Sequence, residues 1–232
     1  MANFTRRDLK SDRFAEEVGH QVEYLSHHRK GFFGAVTAII VVVAAVLLYS
    51  SWRSERRQEA QQALQEALRL YHGEVTADPR MGMVTFATTG ERFRRTTEEL
   101  EKVKSEHGGE FGAAADYYLA LLAVERDEPE EAQRLLQSAV DGADERYSSL
   151  ARLALAELLS DLGQADEARR HFDYLIEHPS AVVPKARAQL ELGRHLMQTD
   201  PEQARTTLEQ LMSQPGPAGV AAGVLLRQLQ GA

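Results

Sequence analysis

Four stretches of this chain write one pattern four times: TTEELEKV at residues 96–103, AQRLLQSA at 132–139, ARRHFDYL at 168–175 and ARTTLEQL at 204–211. Each begins 36 residues after the one before. The first position is small (Thr96, Ala132, Ala168, Ala204). The fifth is large and apolar (Leu100, Leu136, Phe172, Leu208), and the eighth is apolar again (Val103, Ala139, Leu175, Leu211). Spacings of four and three put these side chains on one helix face, and the small residue lets a second helix cross close to it. That second helix is marked upstream by Leu119-Ala120, Leu155-Ala156 and Leu192-Gly193, the last pair one residue out of step. Between the paired helices stand Asp127-Glu128-Pro129, Asp161-Leu162-Gly163 and Thr199-Asp200-Pro201. Proline in the first helical turn, behind an Asp or Thr cap, is a strong helix start. The fixed period predicts an all-α solenoid of helix–turn–helix units over residues 91–232, each burying its apolar face on the next. Residues 217–230 (PAGVAAGVLLRQLQ) then form the capping helix.

Upstream of the repeats the pattern changes twice. Residues 73–90 (GEVTADPRMGMVTFATTG) carry the Gly, Pro and Thr of a linker. Before them, residues 50–72 are rich in Ala, Gln, Glu and Leu and predict a helical stalk. Residues 31–49 (GFFGAVTAIIVVVAAVLLY) hold no charge and no proline. As a helix at 1.5 Å per residue this segment reaches about 28 Å, close to the ~30 Å hydrocarbon core of a bilayer. His27, His28, Arg29 and Lys30 precede it; Tyr49, Trp52, Arg53, Arg56 and Arg57 follow. These are the residue types that headgroups favour. The segment is too long, and sits too far into the chain, for a cleaved signal, and Tyr49-Ser50-Ser51-Trp52 is a poor cleavage site. The expectation is one uncleaved anchor that holds the chain in a bilayer through residues 31–49. Gly34 and Ala38 form one small-xxx-small pair of the kind that lets two anchors approach.

Residues 1–30 make a tail with six Lys/Arg, a modest bias toward a cytoplasmic N-terminus with the C-terminal body across the membrane. Within the tail, Phe14, Val18, Val22 and Leu25 recur at helical spacing behind Ser11, which predicts a short amphipathic helix.

Composition narrows the function. The chain has 232 residues, a net charge of −8 and no cysteine. Residues 1–60 hold nine Lys/Arg against seven Asp/Glu, and the remainder 18 against 28, so the body is acidic. An acidic body gathers no phosphate backbone, and nucleic acid is not an expected partner. Without cysteine there is no disulfide, Fe–S cluster or zinc ribbon. The eight histidines form no HExxH pair, and no Gly-rich phosphate loop or nucleophile elbow occurs. Neither an enzyme, a metal or other cofactor, nor a small-molecule substrate is expected. Binding by shape to other proteins remains.

The unit resembles the tetratricopeptide repeat (TPR), in its Leu-Ala in the first helix, its Ala at the start of the second and its Leu or Phe four residues later. It departs from that family where Asp116 and Arg152 replace an aromatic, and where Pro179 and Pro215 only approximate the closing proline. In the family the first helix of each pair lines a concave face. Carried over by register, the resemblance implies a protein-binding groove at Tyr117, Leu121, Leu153, Glu157, Leu190 and Arg194, although Leu153 and Leu190 would equally suit the core. The full layout of tail, anchor, stalk and small repeat domain resembles the bacterial ancillary subunit of the Sec translocon. That resemblance implies an inner-membrane, single-pass protein with a periplasmic C-terminal domain, acting in chaperone fashion beside the translocon on translocon subunits or emerging, unfolded chains. The alternative is a membrane scaffold that recruits envelope-assembly or cell-division proteins.

Overall fold

A computed structural model describes residues 29–76 and 82–231; the tail with its expected amphipathic helix lies outside the described residues. The chain divides into two compact units, one ending at Arg56 and one from Arg57 on. Helix α1 (Arg29–Tyr71) runs through both. In the first unit Ile39, Ile40, Val41, Val42, Val46, Leu47 and Leu48 are all exposed, and no described residue of the unit covers them. Such a surface marks a protein or membrane contact, and the helix is long and apolar enough to cross a membrane. At the end of this stretch Tyr49 and Trp52 stand 6.3 Å apart, and the Arg56 guanidinium lies 4.7 Å from the Trp52 ring. Amphipathic rings and a cation together suit a headgroup zone.

The second unit is almost wholly helical. After α1 come two-residue strands β1 (Glu74–Val75) and β2 (Thr85–Phe86), paired in parallel. They are followed by α2 (Thr89–Glu125), α3 (Pro129–Val140), α4 (Glu145–Asp161) and α5 (Ala165–Glu177). Helices α6 (Lys185–Thr199), α7 (Pro201–Met212) and α8 (Pro217–Gly231) complete the order. Helix α2 breaks at His107 (φ −132°, ψ 20°), ahead of Gly108 and Gly109, so it serves as two helices, residues 89–106 and 108–125. Starts and stops follow local chemistry. Thr88 and Asp200 accept hydrogen bonds from the Glu91 and Gln203 amides at 3.1 Å, and Pro129 and Pro201 open α3 and α7. The tight turns take left-handed backbone at Asp127 (φ 59°) and Gly163 (φ 75°).

All twelve residues of the 36-residue pattern are buried. Thr96, Ala132, Ala168 and Ala204 have no exposed surface, and their partners at the fifth and eighth positions have at most 1%. The crossings are tight at the small residues: a Cβ on Gly193 would stand 2.6 Å from Leu208 Cδ2. The first helices of successive units also pack on one another, α2 on α4, α4 on α6 and α6 on α8. No comparable packing joins α3 to α5 or α5 to α7 among the described residues.

Two features add to the helical stalk and linker read from the sequence. Ala60, Leu64 and Ala67 of α1 are buried, and Leu64 and Ala67 belong to the main core with Leu100, Val103 and Ala120. Residues 57–71 thus join the repeat core, with Tyr71 held against Arg92, Tyr118 and Glu125. The described linker residues on either side of 77–81 are likewise paired. Phe86 is 2% exposed, and the Glu74 and Thr76 amides donate to Val84 O and Phe86 O at 3.0 and 3.1 Å.

Candidate functional site

The first helices carry a line of half-buried polar-tipped rings. Tyr71 at the end of α1, Tyr117 and Tyr118 on α2, and Tyr147 at the start of α4 form one cluster. Ring centroids are 5.4 Å apart for Tyr71–Tyr118, 5.2 Å for Tyr117–Tyr118 and 6.1 Å from Tyr147 to each of Tyr117 and Tyr118. Tilted, edge-to-face packing of this kind fixes ring positions. One end is clamped. Arg92 donates to Tyr71 O at 3.0 Å and pairs with Glu125, whose Oε1 accepts from the Tyr71 hydroxyl at 3.2 Å. Burial, then the Glu125 charge and hydrogen bond, push the Tyr71 phenol up to about 12. Burial and Tyr118 push Tyr147 up to about 12 and raise Tyr117. Tyr71, Tyr117 and Tyr147 therefore stay neutral donors at physiological pH.

The line continues into charge. Arg187 and Glu157 are close enough to act on the Tyr117 phenol, and Arg187 acts in turn on Glu157. Partial loss of water, then Glu191, raises the Glu157 carboxyl above its usual range, against Arg187 and Arg194. Glu157, Ser160, Asp161, Phe172, Glu191, Arg194, His195 and Gln198 line a cleft of about 230 Å³ between α4 and α6. At its base the Ser160 hydroxyl and His195 Nδ1 are 2.6 Å apart, and His195 itself is 5% exposed. Arg194 bonds Glu191 on the rim.

Of the six residues selected by register, Tyr117 sits in the tyrosine cluster, and Glu157 and Arg194 face one another across the cleft. Leu121 is half-buried on α2. Leu153 is 3% exposed inside the main core, and half-buried Leu190 packs on a second cluster with Leu208 and Leu225, so these two give packing. Sequence reasoning missed Tyr71, Tyr118, Tyr147, Glu191 and His195. The Tyr117-Tyr118 doublet was a usable signal, whereas Tyr71 reaches the cluster only because residues 57–71 fold into the repeats.

The positions where an aromatic is replaced have found polar partners. Asp116, 4% exposed, receives Lys104 Nζ at 2.6 Å and the Ser138 hydroxyl at 2.6 Å. The Arg152 guanidinium lies 3.9 Å from the Tyr174 ring centroid. Among the described residues no three His, Asp or Glu side chains are placed to hold a metal ion.

The sequence pattern described as a tetratricopeptide repeat-like domain matches residues 27–178, about two thirds of the chain, from just before α1 to the end of α5. No curated protein and no solved structure matches the chain.

Proposed function

The chain belongs to the tetratricopeptide repeat-like family, and on that premise we propose that it is a membrane-tethered adaptor binding extended, partly folded segments of other proteins. The observation that carries this reading is the unbroken line along the first helices, from Tyr71 through Tyr117 and Tyr147 to Glu157 and Arg194. Aromatics that are rigid, neutral and half-exposed offer contact area at low entropic cost, and they accept many sequences. The charges beyond them are of mixed sign, which suits backbone and side-chain polar groups of a passing chain and gives no dedicated carboxylate clamp. We place the repeats on the far side of a bacterial inner membrane, tethered through residues 31–49, serving protein translocation as a chaperone-like accessory.

Binding of a reduced, alkylated polypeptide that stays unfolded tests the groove. Tyr117→Ala and Arg194→Ala should each weaken it about tenfold, the scale of an aromatic or arginine hot spot. Arg170→Ala, on the exposed side of α5, should leave it unchanged. Wild-type affinity in both groove variants overturns the reading, and capture of a single folded partner that unfolded chain does not displace supports the scaffold instead. A lone cysteine at Leu162, exposed in the turn between α4 and α5 and labelled with a membrane-impermeant maleimide once any outer membrane is opened, tests the location. Labelling only after the inner membrane is permeabilised contradicts it.

A further inference from the structure

Helix α8 has an apolar side that no other described element covers. In α8 one residue of fifteen, Arg227, is charged. Its inner side is spent on α7 and α6, where Gly219, Ala222, Leu225 and Leu226 are buried. The outer side is bare: Val220 is 73% exposed, Val224 41%, and Met212 beside them 53%. No described residue supplies the second helix that α3, α5 and α7 supply to their units. Between α7 and α8 an open groove of about 700 Å³ is lined by Met212, Gly216, Val220 and Gly223, with Glu209 and Arg227 among its charged walls.

Those two charges identify the occupant. Glu209 pairs with no cation among the described residues, and Arg227 spends its Nε on Gly223 O of its own helix at 3.3 Å. A patch with an apolar centre and one free charge of each sign is complementary to itself. A two-fold contact requires that property, since each copy offers the other the same surface.

We propose that this face binds a second copy of the chain, with α8 packing antiparallel on its partner α8. Pairing centred on Val224 sets Val220 of each copy beside Arg227 of the other, in the groove that Glu209 lines. The contact covers the valines and pairs both charges. Val224 lies on the two-fold axis, where the same residue of both copies meets.

The lack of cysteine makes the test direct. Full-length chain carrying Val224→Cys, in native membranes, is oxidised or treated with a short bismaleimide. Leu162→Cys, at a similarly exposed turn between α4 and α5, serves as control. The proposal expects a covalent homodimer from Val224→Cys and none from the control. In that background Glu209→Arg or Arg227→Glu alone should cut the dimer yield about fivefold, as expected for a lost and inverted exposed ion pair, and the two together should restore it. Equal yield from the control, adducts to a different polypeptide, or a yield unmoved by either charge reversal overturns it. Val220→Cys, with Val220 facing Arg227, should give less homodimer than Val224→Cys; the reverse order overturns the antiparallel register.

Discussion

Replacing Leu64 by Ala asks whether residues 57–71 are a stalk or the first helix of the first unit. Leu64 is 6% exposed and sits in the main core. The change deletes three carbons, about 2.4 kcal/mol of transfer free energy at ~0.8 kcal/mol each. The cavity left behind raises the total to about 3 kcal/mol, because a helix held on one side collapses only partly into the gap. In a solenoid the loss falls on the terminal unit and its one neighbour. Amides of residues 57–71 and 89–106 should therefore exchange with deuterium about 100-fold faster, while α6 and α7 keep their protection. Gln65→Ala, one residue on and exposed, should change stability by less than about 0.5 kcal/mol. Hydrogen exchange resolved by peptide in the full chain reads both. Equal, near-zero effects of the two substitutions would refute the reasoning, since a free stalk has no side to pack.

Three further outcomes follow from the same packing. Asp116→Ala strands Lys104 and the Ser138 hydroxyl beside a buried void and should cost about 3 kcal/mol in denaturant titration, far more than loss of a surface ion pair. Thr96→Val should add about 1 kcal/mol, because the Thr96 hydroxyl is fully buried without a partner where the other three units carry alanine. Burial first, then Arg152 and Arg170 beside His171 and Arg169 beside His195, hold both imidazoles below their usual range. The unfolded chain then takes up protons near pH 6.5 while the folded chain does not. Stability should be complete above that pH and fall as pH drops through it toward the folded values. His195→Gln should flatten the fall, as thermal melts at pH 7.5 and 5.5 will read.

The repeat was legible because its marker is steric. A small residue must stand wherever two helices cross, and Thr96, Ala132, Ala168 and Ala204 do so at a constant step with no exposed surface. The same logic extends to Ala67 in α1, yet Ala67 stands 29 residues before Thr96, whereas Ala120 stands 12 before Ala132. The long connection through β1 and β2 hides that unit from any search at fixed period, and a two-residue ladder leaves no alternation to read. At the candidate site, register selects positions along the first helices without settling rotation. A first helix in a stack has neighbours on three sides, so Leu153 is buried in the core and half-buried Leu190 packs on Leu208 and Leu225, while Glu157 and Arg194 line the cleft and Tyr117 joins the tyrosine cluster. Tyr147 enters from the first turn of α4, and no single register position per helix would have selected it.

The central claim is that the first-helix face, and not the outer second helices, receives other polypeptides. A photo-crosslinking amino acid placed in turn at Tyr117 and Arg194, and at Glu130 and Arg170 on the exposed sides of α3 and α5, tests it most directly. With the full chain in membranes and an unfolded polypeptide as probe, adducts should form at Tyr117 and Arg194 and disappear under excess unlabelled probe. Adducts of equal yield at Glu130 and Arg170, or adducts there alone, would contradict the account.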